Sequence, residues 1–445
     1  TTVPVISSVA PSASSFVKVA DVGYTLSEAI TSGTVTYTQT SGSTDGGSPH
    51  VQNLSGAELN TGAHSLATLN SAPTLVDGAV YTITFDATDP SGNAATAVSA
   101  TSITFDTTAP VISSVAPSAS SFVKVADVGY TLSEAITSGT VTYTQTSGST
   151  DGGSPHVQNL SGAELNTGAH SLATLNSAPT LVDGAVYTIT FDATDPSGNA
   201  ATAVSATSIT FDTTAPVISS VAPSASSFVK VADVGYTLSE AITSGTVTYT
   251  RTGGNADSGS PHVQNLSGAE LNTGARSLAA LASAPTLVDG TIYTITFNAT
   301  DPSGNAATAV SVTSITFDTT VPVISSVAPS ASSFVKVADV GYTLSEAITS
   351  GTVTYTRTGG NADSGSPHVQ NLSGAELNTG ARSLAALASA PTLVDGTIYT
   401  ITFNATDPSG NAATAVSVTS ITFDTTVPVI SSVAPSASSF VKVAD

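Results

Sequence analysis

The chain has 445 residues, no Cys, Met or Trp, only 9% charged residues, and a formal net charge of −22. Without Cys there are no disulfides, no thiol catalysis and no thiolate metal sites. The acidic balance argues against nucleic acid or anionic membranes as partners and favours cations. No run of apolar residues is long enough to span a bilayer, and no signal peptide is seen.

The segment beginning Thr-Thr-(Val/Ala)-Pro-Val-Ile-Ser-Ser recurs at residues 1, 107, 213, 319 and 425, a period of 106 without insertion or deletion. Repeats therefore cover 1–106, 107–212, 213–318 and 319–424, with 425–445 as the start of a fifth. A unit this long is a domain with its own core rather than a solenoid module. The chain starts in phase with a repeat and stops inside one, so an excerpt of a longer array is expected.

Within residues 1–106, Pro4 to Val9 reads as a first strand. Val17 to Leu26 reads as a second, with a bulge near Asp21 where the alternation changes parity. Ser27-Glu28-Ala29-Ile30 turns the chain. Gly33 to Thr40 is the third strand and Ser41 to Pro49 a Gly/Ser loop. His50 to Leu54 is the fourth strand and Ala63 to Leu69 the fifth. After the tight turn at Asp77-Gly78, Val80 to Ala87 alternates as the sixth. Asp89-Pro90-Ser91-Gly92-Asn93 connects it to the seventh, Val98 to Phe105. Seven short β-branched and aromatic segments with regular turns predict an all-β, immunoglobulin-like sandwich. Tyr81 is placed like a tyrosine corner, with an ordinary core Tyr as the alternative. Four such sandwiches end to end would form an extended rod of roughly 150–200 Å, at ~40–50 Å each.

The repeats come in two types. One and two differ only at Val3 against Ala109, and three and four only at Ala215 against Val321. Between the types, changes such as Gln145 to Arg251, His170 to Arg276 and Asp192 to Asn298 fall in loops or at outward positions. Such near-identity suits a spacer, in which number matters more than individuality.

An up-and-down strand order brings three elements to one pole: the joint Phe105-Asp106-Thr107-Thr108, the turn after strand two, and the connection between strands six and seven. Asp106 should therefore meet Glu134, Asp195 and Asn199 of the next repeat. Likewise Asp212 should meet Glu240, Asp301 and Asn305, and Asp318 should meet Glu346, Asp407 and Asn411. Glu28 continues the inward series Val22, Tyr24, Leu26, and Asp89 continues Tyr81, Ile83, Phe85, Ala87, so both tip toward the open end of the sandwich. Converging carboxylates repel and lose hydration. The one basic residue common to all repeats, Lys18 and its equivalents, is placed at the opposite pole, leaving no local Lys or Arg. A bound cation relieves this, and an all-oxygen set points to Ca²⁺. The alternative is that Asp89 only caps its turn and Asp106-Thr-Thr is a polar linker. Asp86 alternates outward, and Asp77 lies at the far pole, below the following joint.

The run Tyr81-Thr-Ile-Thr-Phe-Asp-Ala-Thr-Asp-Pro-Ser-Gly-Asn, followed by Asp106-Thr-Thr-Ala-Pro, resembles the bacterial immunoglobulin-like repeats of giant surface adhesins, as does Leu26-Ser-Glu28-Ala. Many of these, like cadherins, hold calcium at domain junctions and stiffen into rods. The resemblance implies that role for Asp106, Glu134, Asp195, Asn199 and their counterparts. The joint lacks the dense acidic and Asn run of cadherin linkers, which implies fewer ions or weaker binding.

No enzyme constellation is found: His50 and His64 read as isolated, and Asp45-Gly-Gly-Ser as a flexible turn without the Lys of a phosphate loop. The last strand carries no Asn for an isopeptide bond with Lys18. The expected function is the structural extender of a large secreted or cell-surface protein, with neighbouring repeats as partners and lateral packing into a fibre left open. A carbohydrate-binding module array is the alternative. Against it, of the six aromatics per repeat only Phe16 lacks inward parity, and it is expected to plug the lower pole against the next domain.

Overall fold

A computed structural model describes residues 2–64, 72–170, 178–276, 284–382 and 390–434. By backbone contacts the chain divides into two compact units, Thr1–Thr214 with Pro302–Asn305, and Ala215–Asp301 with Ala306–Asp445. Each of the four repeats carries the same strands, named here as in the first: β1 (Ile6–Ala10), β2 (Phe16–Val17), β3 (Gly23–Leu26), β4 (Ser32–Gly42), β5 (His50–Asn53), β6 (Gly62–His64), β7 (Ala79–Thr88) and β8 (Val98–Phe105). They form a three-stranded sheet, β1-β3-β6, and a five-stranded sheet, β2-β8-β7-β4-β5.

The two sheets close on one core because their strands alternate. On β7, Tyr81, Ile83, Phe85 and Ala87 are buried, while Asp86 is exposed as its parity predicts. From the other sheet, Tyr24 and Leu26 meet them, with Val35 and Tyr37 of β4 alongside. Buried tyrosines must satisfy their hydroxyls. Tyr37 donates to the Ala20 carbonyl at 2.6 Å and Tyr24 to the Glu58 carbonyl at 2.9 Å. Gly33 stands where β4 crosses this core, since a Cβ there would lie 2.8 Å from the Asp86 carbonyl oxygen.

The expected second strand, Val17 to Leu26, is two separate strands. Phe16–Val17 pairs parallel with the end of β8, Phe16 against Thr104 and Val17 against Phe105. Gly23–Leu26 pairs antiparallel with β1 in the other sheet. The parity change near Asp21 marks this crossing from sheet to sheet, and a bulge inside one strand was the simpler reading of the same signal. Of the expected fifth strand, Gly62–His64 is strand, and residues 65–69 lie outside the described residues.

Candidate cation sites at the joints

The joint is held by the turn below it. Asp77, at the tip before β7, accepts the Thr107 backbone N–H at 2.5 Å and both threonine hydroxyls, Thr107 Oγ1 at 2.8 Å and Thr108 Oγ1 at 2.7 Å. These bonds hold its carboxyl below the usual range, the Thr107 amide first. Asp77 had seemed only to face the joint from below. Its partners lie thirty residues on, a distance that no local motif reports. Tyr81 holds the same turn through its neighbour: the Tyr81 hydroxyl accepts the Val76 N–H at 3.0 Å and donates to Asp45 Oδ2 at 2.7 Å. Tyr81 thus ties down the turn as a tyrosine corner does.

Above the joint, in repeat two, Ser133 exchanges two bonds with Val111. Its Oγ accepts the Val111 N–H at 2.9 Å, and its own N–H reaches the Val111 carbonyl at 3.1 Å. Glu134 is therefore carried to the incoming chain. Thr137 then bonds the turn after β7, its Oγ1 donating to the Asp195 carbonyl at 2.9 Å. The result is that one carboxylate oxygen each of Asp106, Glu134 and Asp195 lie within 4.8 Å of one another. In the second unit Asp318, Glu346 and Asp407 do the same. Asp212, Glu240, Asp301 and Asn305 occupy the corresponding positions of their own repeats, on either side of the division between the units.

The three carboxylates differ in their support. Asp195 is buried, and it is satisfied within its turn: Oδ1 accepts the Asn199 N–H and Oδ2 the Asn199 side-chain amide, both at 2.8 Å. Asp106 accepts the Thr108 N–H at 3.0 Å and the Ser197 hydroxyl at 3.2 Å. The glutamate is the strained member. Glu346 Oε1 is buried and has no hydrogen-bond partner. Burial first, then the charges of Asp318, Asp407 and Asp289, raise its carboxyl above the ordinary Glu value. Glu134 is raised by the same causes, with Asp106, Asp195 and Asp77 as the charges. Asp195 caps its turn, and it also belongs to a group of three carboxylates that could hold a metal ion.

Three expectations change. Asn199 was expected to offer an oxygen. Its Nδ2 instead donates to Asp195 Oδ2, to the Asp106 carbonyl at 3.0 Å and to the Thr108 carbonyl at 3.4 Å. Asn411 does likewise toward Asp407, Asp318 and Thr320. Three acceptors face its nitrogen, so Asn199 is a strut across the joint, and the group that could hold a metal ion is the three carboxylates. Lys18 is not remote from a joint. Its Nζ donates to the Gly198 carbonyl of the next repeat at 2.6 Å, because the lower pole of one repeat abuts the upper pole of the next. It is not among the charges acting on Glu134, all of which are acidic. Finally, His50 is not isolated. Its Nε2 lies 2.6 Å from Asp45 Oδ2, which also takes the Tyr81 hydroxyl, so the Gly/Ser loop is anchored rather than free. His64 stacks on Tyr24 at 4.6 Å between ring centroids.

The comparisons with known proteins agree with this architecture. Residues 106–213 match the family model described as bacterial Ig-like domain, and residues 287–425 match that described as bacterial Ig-like domain (group 3). No curated protein matches the chain significantly. Among solved structures, a tetra-tandem repeat in the extending region of a large adhesion protein is 21% identical, with 95% of this chain and 100% of that chain covered and a TM-score of 0.27. The chicken CNTN1 FN1-FN3 domains are 10% identical over 70% of this chain and 99% of that chain, with a TM-score of 0.26. Since the two matched stretches lie in repeats of both types, and repeats within a type are almost identical, the chain is a tandem array of bacterial immunoglobulin-like domains.

Proposed function

We propose that this array is the extender of a large secreted or cell-surface protein, and that a divalent cation, Ca²⁺, stiffens each joint between repeats. Its work is mechanical: to hold another module at a distance set by repeat number, or to run as a strand of an extracellular fibre. Near-identity of the repeats supports the spacer role, since equivalent units are what a spacer requires.

The observation that carries the cation is Glu346 Oε1, a buried carboxylate oxygen without a hydrogen-bond donor, beside two aspartates. A buried charge persists only when paired or coordinated. Carboxylate oxygens suit a hard cation, and Ca²⁺ completes its six to eight ligands with backbone oxygens and water. The charges acting on Glu134 and Glu346 come from the repeat below as well as their own, so a bound cation would bond two domains and favour one direction between them. A carbohydrate-binding array would need exposed aromatic platforms. Tyr24, Tyr37, Tyr81 and Phe85 are instead committed to the core.

The test is calorimetry and small-angle scattering of the full chain with Ca²⁺ and with excess chelator. Chelation is expected to lower the melting temperature and broaden the distribution of maximum dimensions. Equal melting and equal dimensions in both conditions would overturn the cation reading while leaving the spacer reading intact.

A further inference from the structure

Two side chains on one face of β2 lie outside everything the acidic cluster explains. Strand β2 runs parallel to the end of β8, and the Asp106 N–H donates to the Val17 carbonyl at 2.8 Å. The segment Phe16 to Lys18 is thereby laid alongside the exit of the chain. Val17 turns toward the core, so Phe16 and Lys18 turn away from it together.

Lys18 crosses the joint. Its ammonium bonds the Gly198 carbonyl, 180 residues on, in the turn of repeat two that also holds Asp195. In the second unit Lys230 bonds the Gly410 carbonyl at 2.6 Å in the same way. The glycine is required by the backbone, whose φ there is +83°. Phe16 carries a second sign of the neighbour. It is 48% exposed, whereas Phe334 of repeat four, with only residues 425–434 described beyond its repeat, is 73% exposed. Val19 and Val337, close by in the same repeats, are 52% and 49% exposed, so the difference is confined to the phenylalanine.

We propose that Phe16 and Lys18 form a clasp that seats each repeat on the Asp195–Asn199 turn of the next and fixes the direction of the joint without any cation. The turn it grips is already complete in the absence of an ion. Asp195 is satisfied by Asn199, and Ser197 and Asn199 reach back to Asp106. Lys18 adds a charge-assisted bond to a carbonyl at the opposite side of the same turn. The Phe16 ring, less exposed than that of Phe334, stands two residues before Lys18 on the same side of the chain. A bound cation would then stiffen further a joint that the clasp has already oriented. The clasp does not rest on the cation reading.

The chain lacks Cys, so a pair of spin labels can be introduced cleanly at Thr38→Cys and Thr144→Cys, equivalent exposed positions in repeats one and two. The label-to-label distance distribution is measured in the full chain with excess chelator. A narrow distribution is expected, and Lys18→Met should at least double its width; Lys18→Met with Phe16→Ser should widen it further. Amide chemical-shift dispersion of both repeats should stay native in these variants. A distribution already broad in the parent chain, or one whose width Lys18→Met leaves unchanged, would overturn the clasp. Neither result bears on whether Ca²⁺ narrows the distribution when added back.

Discussion

Neutralising the glutamate of each joint should change sign with calcium. In Glu134→Gln, Glu240→Gln and Glu346→Gln together, each joint loses one charge. The three carboxylates of a joint have oxygens within 4.8 Å of one another. At that separation two unit charges repel by about 0.9 kcal/mol in a water-like dielectric, and by roughly four times that at an effective constant of 20. Taking the water-like figure as the lower bound, removal of two repulsive pairs stabilises a cation-free joint by about 2 kcal/mol. For a unit of this size, with an unfolding entropy of roughly 2 cal/mol/K per residue, that is a rise of about 9 °C. With calcium present the same substitution removes a ligand, and stabilisation by binding shrinks with the affinity; a hundredfold weaker site at saturating ion forgoes about 2.7 kcal/mol. Differential scanning calorimetry of the full chain, with chelator and with millimolar Ca²⁺, reads both. The triple variant should melt above the parent in chelator and below it in calcium. A variant that melts below the parent in chelator would refute the reasoning, since the carboxylates would then not be repelling.

Two further outcomes follow from the same geometry. Stability in chelator should be domed in pH. Glu134 and Glu346 have folded values raised above 4.5, so the native state binds more protons, and stability rises as pH falls through the raised values toward 4.5. Asp151, Asp257 and Asp363 are lowered from 3.8 to about 2 by Tyr and His hydrogen bonds, so their contribution is complete above 3.8 and is lost as pH falls through 2. Thermal melts between pH 7 and 2 check this, and a monotonic fall from pH 7 would contradict the first limb. In the second, Tyr81→Phe, made in all four repeats, strands the Val76 N–H and removes one donor from Asp45, which should cost about 2–3 kcal/mol per repeat by denaturant unfolding. A loss under roughly 0.5 kcal/mol would mean that the corner is ordinary packing.

Much of this protein is legible along the chain. The period of 106 sets out the repeated unit, and the same strands recur in each copy. Alternation on β4 and β7 fixes which faces are buried, because a strand of period two has no other way to hide Tyr37, Tyr81, Ile83 and Phe85. An alternating strand order was enough to gather Asp106, Glu134 and Asp195 at one pole, since pole and parity are properties of order alone. What order could not report is which atom of a side chain faces its neighbour. Asn199 turns its nitrogen toward the joint because three acceptors converge there, and those acceptors come from two repeats and three segments. Asp77 finds Thr107 and Thr108, and Asp45 finds Tyr81, through contacts that exist only when β4, β7 and β8 are side by side. Lys18 shows the limit most clearly. Within its own repeat it lies at the exit pole, alongside Asp106 and away from Glu28 and Asp89. Only the abutment of one domain on the next brings it to the Gly198 carbonyl. Sequence by itself determined the repeat, the faces that form its core and where the acidic groups collect. The tertiary structure decided which groups are satisfied and which are left wanting a partner, because satisfaction depends on distances between segments that the order of residues does not set.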